Sequence, residues 1–221
     1  MLSTPIIPEL HEDVYPPQED SYIFLDGLEM DREWIKYTLK PSLIVEVGPG
    51  SGIISSFLIL HILGRESTIF CCDINPFACE FSQKTLALNN PHGISYEIIG
   101  SNLLESFCPS RFKVDMLLFN PPYVPTSLEE FEQSDNLAKS WSGGPRGRLV
   151  IDRFLQDCIP FLSDKGCIYM LLSKENDPEE IFEMIKKLSK GHFDQSHLVH
   201  KRKAHNEFLF LYRFYSKYIV P

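Results

Sequence analysis

Leu43-Ile44-Val45-Glu46-Val47-Gly48-Pro49-Gly50-Ser51-Gly52 runs from an apolar, β-branched segment directly into three alternate glycines. Pro41 and Gly48 bracket Leu43 to Val47, so the segment reads as a buried strand. Residues 52–63 then read as a helix, which places the glycines in a strand-to-helix turn. Without Cβ atoms such a turn is tight and lets backbone approach a ligand. The spacing is G-x-G-x-G, with Ile53 where a dinucleotide fingerprint would continue, so a nicotinamide cofactor fits less well. A turn that binds nothing would also use glycine here.

Working outward, strand and helix patterns alternate. Strands are expected at 68–72, 94–99, 114–119 and 165–172, and helices at 76–88, 147–161 and 178–188. A long loop, 120–146, precedes the helix at 147. Two β-rich runs, 193–199 and 207–214, close the chain, joined by a basic turn around Lys201, Arg202 and Lys203. On the N-terminal side, Pro5, Pro8, Pro16 and Pro17 exclude regular helix. From Asp20 onward Ile23, Phe24, Leu28, Trp34, Ile35 and Leu39 recur at helical spacing until Pro41. The chain therefore divides into an extension, 1–41, and a catalytic-sized α/β unit, 42–221.

Alternation of this kind implies a parallel sheet covered by helices on both faces. The last two strands are too close for a crossover, so they form an antiparallel hairpin. A seven-stranded, mostly parallel sheet with a terminal hairpin resembles the Rossmann-like class I methyltransferases. Fold alone does not assign function.

Composition narrows the field. With 30 acidic against 21 basic residues the chain carries −9, unlike a duplex-DNA binder. Nine of those acids and only three bases lie in residues 1–40. No apolar run reaches the ~20 residues of a membrane span; the longest, 53–63, is interrupted by Ser55, Ser56 and His61. The first nine residues lack the basic and apolar regions of a secretory signal. Six scattered cysteines without CxxC spacing suit small buried residues of a reduced cytoplasmic or nuclear protein, and no metal is expected.

Asp73 closes the second strand 25 residues after Gly48, where a carboxylate can accept both ribose hydroxyls. It could instead cap the next helix, but Asn75, just before Pro76, is better placed for that. Asn120-Pro121-Pro122-Tyr123 follows the most apolar strand, at the carboxyl end where open α/β sheets bind ligands. Two prolines stiffen the turn and remove two N–H donors. The Asn120 oxygen and Pro121 carbonyl can then accept from an –NH2 group while Tyr123 stacks on a planar substrate. Holding both N–H bonds aims the nitrogen lone pair at an incoming methyl group. A proline-rich turn without function is the plain alternative.

These motifs together resemble S-adenosylmethionine-dependent methyltransferases of planar amino groups. Val14-Tyr15-Pro16-Pro17-Gln18-Glu19-Asp20-Ser21 is similar to the Tyr-x-Pro-x-Glu-Asp segment of eukaryotic and archaeal HemK-type enzymes. So are the tracts 141–148, 151–154 and 174–180. That family methylates the glutamine N5 of the Gly-Gly-Gln motif in class I translation termination factors. The resemblance implies S-adenosyl-L-methionine held by Gly48, Gly50, Gly52, Glu46, Asp73, Ile74, Asn102, Leu103 and Asn120. It implies Tyr15 and Ser21 closing over it, and Asn120 to Tyr123 binding the glutamine. Many members carry Asp where Asn102 stands. Positioning would supply most of the catalysis; no strong general base is evident, and no histidine lies in the motifs.

The resemblance also implies a small zinc-binding activator that adds a strand to the edge at 94–99, with Phe70, Tyr96 and Ile98 in contact. Packing of those residues under the chain's own helices is the other possibility. An adenine-N6 methyltransferase on DNA or RNA, a lysine-directed enzyme and a non-catalytic module are the competing functions. The acidic balance, the lack of room for a target-recognition domain and the intact Glu46, Asp73 and Asn120 weigh against them. The acidic N-terminal region, including Glu12 and Asp13, would suit a basic protein substrate.

Overall fold

Val114-Asp115-Met116-Leu117-Leu118-Phe119 is buried at every position, as a parallel strand covered on both faces requires. The computed structural model, which describes residues 2–204 and 207–219, places this strand at the centre of a seven-stranded sheet. Its strands are β1 (Leu43–Val47), β2 (Thr68–Asp73), β3 (Ser95–Gly100), β4 (Val114–Phe119), β5 (Leu162–Ser173), β6 (Gln195–Ala204) and β7 (Glu207–Tyr215). The order is β3-β2-β1-β4-β5-β7-β6. The first five strands run parallel, and β7 is antiparallel to both β5 and β6. Asp115, the one charge inside β4, accepts from Ser42 N at 2.9 Å and Ser163 Oγ at 2.7 Å, which offsets its burial.

The helices are α1 (Glu19–Met30), α2 (Ile53–His61), α3 (Pro76–Leu88), α4 (Leu128–Gln133), α5 (Leu149–Cys158) and α6 (Pro178–Leu188). Helix α1 buries Ile23, Phe24 and Leu28 and packs on β6 and β7. Beyond it, Trp34–Leu39 forms a wider helical stretch closed by Lys40 N–H on the Ile35 oxygen at 2.9 Å. The Arg213 guanidinium stacks 3.6 Å from the Trp34 ring and pairs with Asp31, which also accepts from Tyr169 Oη at 2.5 Å. This buried cluster fixes the C-terminal end of α1 to the sheet.

Three expectations need correction. Lys201, Arg202 and Lys203 do not form a turn; they belong to β6, and the connection at 205–206 lies outside the described residues. The Lys201 ammonium lies 4.5 Å from the Phe208 ring and 5.1 Å from Phe210, so aromatic faces on β7 support a charged strand. The segment 120–146 is not all loop, because Ser127 and Glu130 form a capping box that starts α4. The helix expected over 147–161 is shorter: α5 ends at Cys158, a tight Ile159–Phe161 turn containing Pro160 follows, and β5 begins at Leu162. No helix of the described residues is long and apolar enough to cross a membrane.

Candidate active site

At the carboxyl ends of β1, β2 and β4 a cavity of about 420 Å³ opens, within the range that encloses a small-molecule ligand. Its floor is the strand-to-helix turn after β1. Gly48 and Gly52 both adopt left-handed backbone, with φ of +65° and +78°, yet they serve different purposes. A Cβ on Gly48 would meet nothing within 4 Å, and the residue is exposed to the cavity. A Cβ on Gly52 would lie 2.8 Å from Ser82 Cα, so this glycine lets α2 and α3 close on each other. Gly50 lines the cavity and donates from N–H to Asp73 Oδ2 at 3.2 Å.

Asp73 also accepts from Asn75 N at 2.9 Å, while Asn75 caps α3 through Phe77 N at 3.0 Å. Burial raises the Asp73 carboxyl pKa, and the backbone donors of Asn75 and Gly50 oppose that rise. A carboxylate offers about four lone-pair sites, so acceptor capacity toward the cavity remains. Ile74 is exposed beside it on the cavity wall. Glu46 lies beneath the turn rather than on the cavity surface. It is 1% exposed and accepts from both the N–H and the hydroxyl of Ser55. Burial pushes its pKa up to about 7.

Past β3, Asn102 and Leu103 line the cavity. The Asn102 oxygen accepts from Arg153 of α5 and its Nδ2 donates to Glu105 Oε1 at 3.0 Å. Leu103 is held at φ +51°, a left-handed conformation that a branched side chain rarely adopts and that marks a constrained position.

Asn120 and Pro122 reach the cavity, whereas Pro121 and Tyr123 are buried behind it. The Tyr123 pKa is raised, first by burial and then by nearby Asp20. Its main-chain oxygen accepts from Asn176 Nδ2 at 2.8 Å. Asn120 Nδ2 donates to Asp20 Oδ2 at 2.7 Å, and Asn120 Oδ1 is buried with no hydrogen-bond partner among the described residues. An orphaned buried acceptor costs ~1–3 kcal/mol, and a ligand donor at that atom would recover it.

The N-terminal segment is strapped across α3 before it enters the site. Ile6 exchanges both main-chain hydrogen bonds with the Asn89 amide, at 2.9 and 2.8 Å. His11 stacks on Phe77 with ring centroids 4.0 Å apart, and the Asp13 oxygen accepts from Asn75 Nδ2 at 2.8 Å. Asp13, Tyr15, Asp20 and Ser21 then line the cavity.

Sequence reasoning missed several wall residues. Asp20 was legible only as part of a segment; Arg153 sits in a tract singled out by resemblance without a role. Phe131, Asn136 and Lys139 enter from α4 and the turn after it, where no local pattern announces a ligand.

A methyltransferase small domain model matches residues 25–139. The chain is 38% identical to mouse "Methyltransferase HEMK2" over 79% of its length and 78% of that protein. It is 36% identical to the "eRF1 methyltransferase catalytic subunit mtq2" of Schizosaccharomyces pombe over 97% of its length and 96% of that protein. Among solved structures, the E. cuniculi Mtq2-Trm112 complex, described as methylating the eRF1 translation termination factor, superposes with a TM-score of 0.65. That match has 25% identity and covers 93% of this chain and 99% of the other.

Proposed function

The chain belongs to the HemK2 and Mtq2 branch of the small-domain methyltransferases, and we propose that it N5-methylates the Gly-Gly-Gln glutamine of a class I translation termination factor. The observation that carries this reading is Asn120. It stands on the cavity wall at the end of the central strand, with its Oδ1 buried and unmatched. Pro121 and Pro122 add no competing N–H donors, so the turn offers acceptors to a planar –NH2 group.

The cavity fits S-adenosylmethionine by its donor set. Gly48 leaves the main chain bare, Asp73 presents a carboxylate at the end of β2, and Asn102 with Leu103 lines the wall past β3. When bound, that cofactor supplies a methyl group on a sulfonium leaving group. The chain's own part is to hold the amide nitrogen in line with that carbon and to keep water out. Asn120 Oδ1 accepts one amide N–H; Tyr15 and Ser21, from the strapped N-terminal segment, cover the cofactor side. Oriented binding of this kind accounts for several kcal/mol of a transfer barrier.

We also infer that the chain works as the catalytic subunit of a heterodimer with a small zinc-binding protein. Strand β3 is one of the two edges of the sheet among the described residues, with Tyr96 and Ile98 half-buried. An edge of this composition invites strand addition. Phe70 is partly engaged already, with Phe112 at 4.9 Å and Phe107 at 6.1 Å, so it would back the contact rather than form its centre.

The discriminating experiment offers the heterodimer labelled cofactor and a termination factor carrying either Gly-Gly-Gln or Gly-Gly-Asn. Label confined to the glutamine form supports the assignment. Equal label on both, or label only on added nucleic acid, overturns it.

A further inference from the structure

Asp20 occupies the first turn of α1 and is 5% exposed, and the N-cap of that helix is Gln18 rather than Asp20. Favourable interaction with the helix dipole does not require that burial, since Glu19 beside it sits exposed in the same first turn. Burying a carboxylate is costly unless it is hydrogen-bonded. Its partners here are Asn120 Nδ2 at 2.7 Å and Tyr15 Oη at 3.5 Å, and it lies on the cavity wall beside both.

We propose that Asp20 is a positioning residue that fixes the polarity of the Asn120 amide. A carboxylate is acceptor-only, so the end of Asn120 that faces it must be the –NH2 group. The carbonyl oxygen is thereby turned to the opposite side, where it remains buried and unmatched. Rotation of the amide by half a turn would present –NH2 to a substrate –NH2, and two donors cannot pair. The Asp20–Asn120 bond spans 100 residues of sequence and joins the N-terminal extension to the central strand. Specificity for a donor amide is therefore built from both parts of the chain, and the extension contributes to substrate choice as well as to cofactor enclosure. This inference rests on the amide-transfer reading above, and it predicts that site polarity fails when the extension's carboxylate is removed.

The test uses the full chain with its partner. In Asp20→Ala, kcat for the Gly-Gly-Gln substrate should fall roughly tenfold or more, while the cofactor Kd stays within about twofold. Asp20→Asn, which keeps an acceptor carbonyl, should recover much of that loss. Asn120→Asp should be inactive, and the exchanged pair Asp20→Asn with Asn120→Asp should exceed it in rate. A direct readout does not depend on turnover. The Asn120 side-chain amide NMR signal, assigned by its loss in Asn120→Asp, should be shifted and slowly exchanging in the native chain. It should collapse toward solvent-like values in Asp20→Ala. Native kcat in Asp20→Ala, or an unchanged Asn120 amide signal, would overturn the proposal. If the native enzyme ignores Gly-Gly-Gln, the substrate assignment fails separately, and the amide signal alone decides the role of Asp20.

Discussion

Asn176 Nδ2 donates to the Tyr123 main-chain oxygen at 2.8 Å, binding the turn after α5 and β5 to the Asn-Pro-Pro-Tyr tetrapeptide. The same side chain donates to the Arg146 oxygen at 3.0 Å and accepts from Ser173 N at 2.7 Å. It is fully buried, so the end of the tetrapeptide, the turn before α5 and the end of β5 share one staple. The backbone leaves no slack there, because a Cβ on Gly147 would lie 1.9 Å from the Tyr123 oxygen.

Asn176→Ala should therefore orphan several buried groups and cost ~2–3 kcal/mol. For a chain of this size that corresponds to a fall in Tm of roughly 5–10 °C. Calorimetry checks the stability, and a parallel drop in kcat with near-native cofactor affinity would place the damage at the substrate turn.

The two left-handed glycines should separate stability from binding. Gly52→Ala should destabilise by ~1–3 kcal/mol, since the new Cβ meets Ser82 main chain. Gly48→Ala faces open cavity and carries only the ~1 kcal/mol of left-handed strain. Its larger effect should be on cofactor Kd. Thermal melts with and without cofactor would distinguish the pair.

Glu46 should make stability depend on pH in an unusual direction. Its folded pKa is raised by burial from 4.5 to about 7, so the folded state retains a proton that the unfolded chain releases. Stability should fall as pH rises from about 4.5 to 7 and then level off. Glu46→Gln removes the titration while keeping an acceptor for Ser55. At pH 8 it should be more stable than native by roughly 1–3 kcal/mol, with little difference at pH 4.5. Denaturant midpoints at the two pH values measure this, and a variant no more stable at pH 8 would contradict it.

Arg153 should act on the cofactor rather than on the chemical step. It donates to Asn102, lies 3.6 Å from Glu105 and lines the cavity. Arg153→Ala should weaken cofactor binding several-fold, the scale of one exposed charge-assisted contact, and leave saturated kcat near native. Titration calorimetry with the cofactor provides the check.

Much of this arrangement was legible because local chemistry and tertiary role coincide. The β1 strand, the alternate glycines and the apolar β4 run each read the same way in isolation as in the fold. Lys201 to Lys203 did not, since their strand conformation comes from antiparallel pairing with β7, opposite Phe210, Leu209 and Phe208, which a run of three charges does not announce. Glu46, which the resemblance places near the methionine end of the cofactor, is buried on Ser55 beneath the turn, a contact that no local pattern encodes. Asp20 was visible as one of nine acids near the N-terminus, but its partner is 100 residues away. No periodicity encodes that contact. The wall formed by Phe131, Asn136 and Lys139 escaped for a related reason, because a six-residue helix with no buried face leaves no apolar stripe.

Glutamine methylation is tested most directly by tandem mass spectrometry of the termination factor after reaction with the heterodimer and S-adenosylmethionine. One added methyl should appear on the side-chain nitrogen of the Gly-Gly-Gln glutamine, absent with Asn120→Ala although that variant still binds cofactor. A methyl found only on lysine or nucleic acid, or unchanged glutamine methylation by Asn120→Ala, would contradict it.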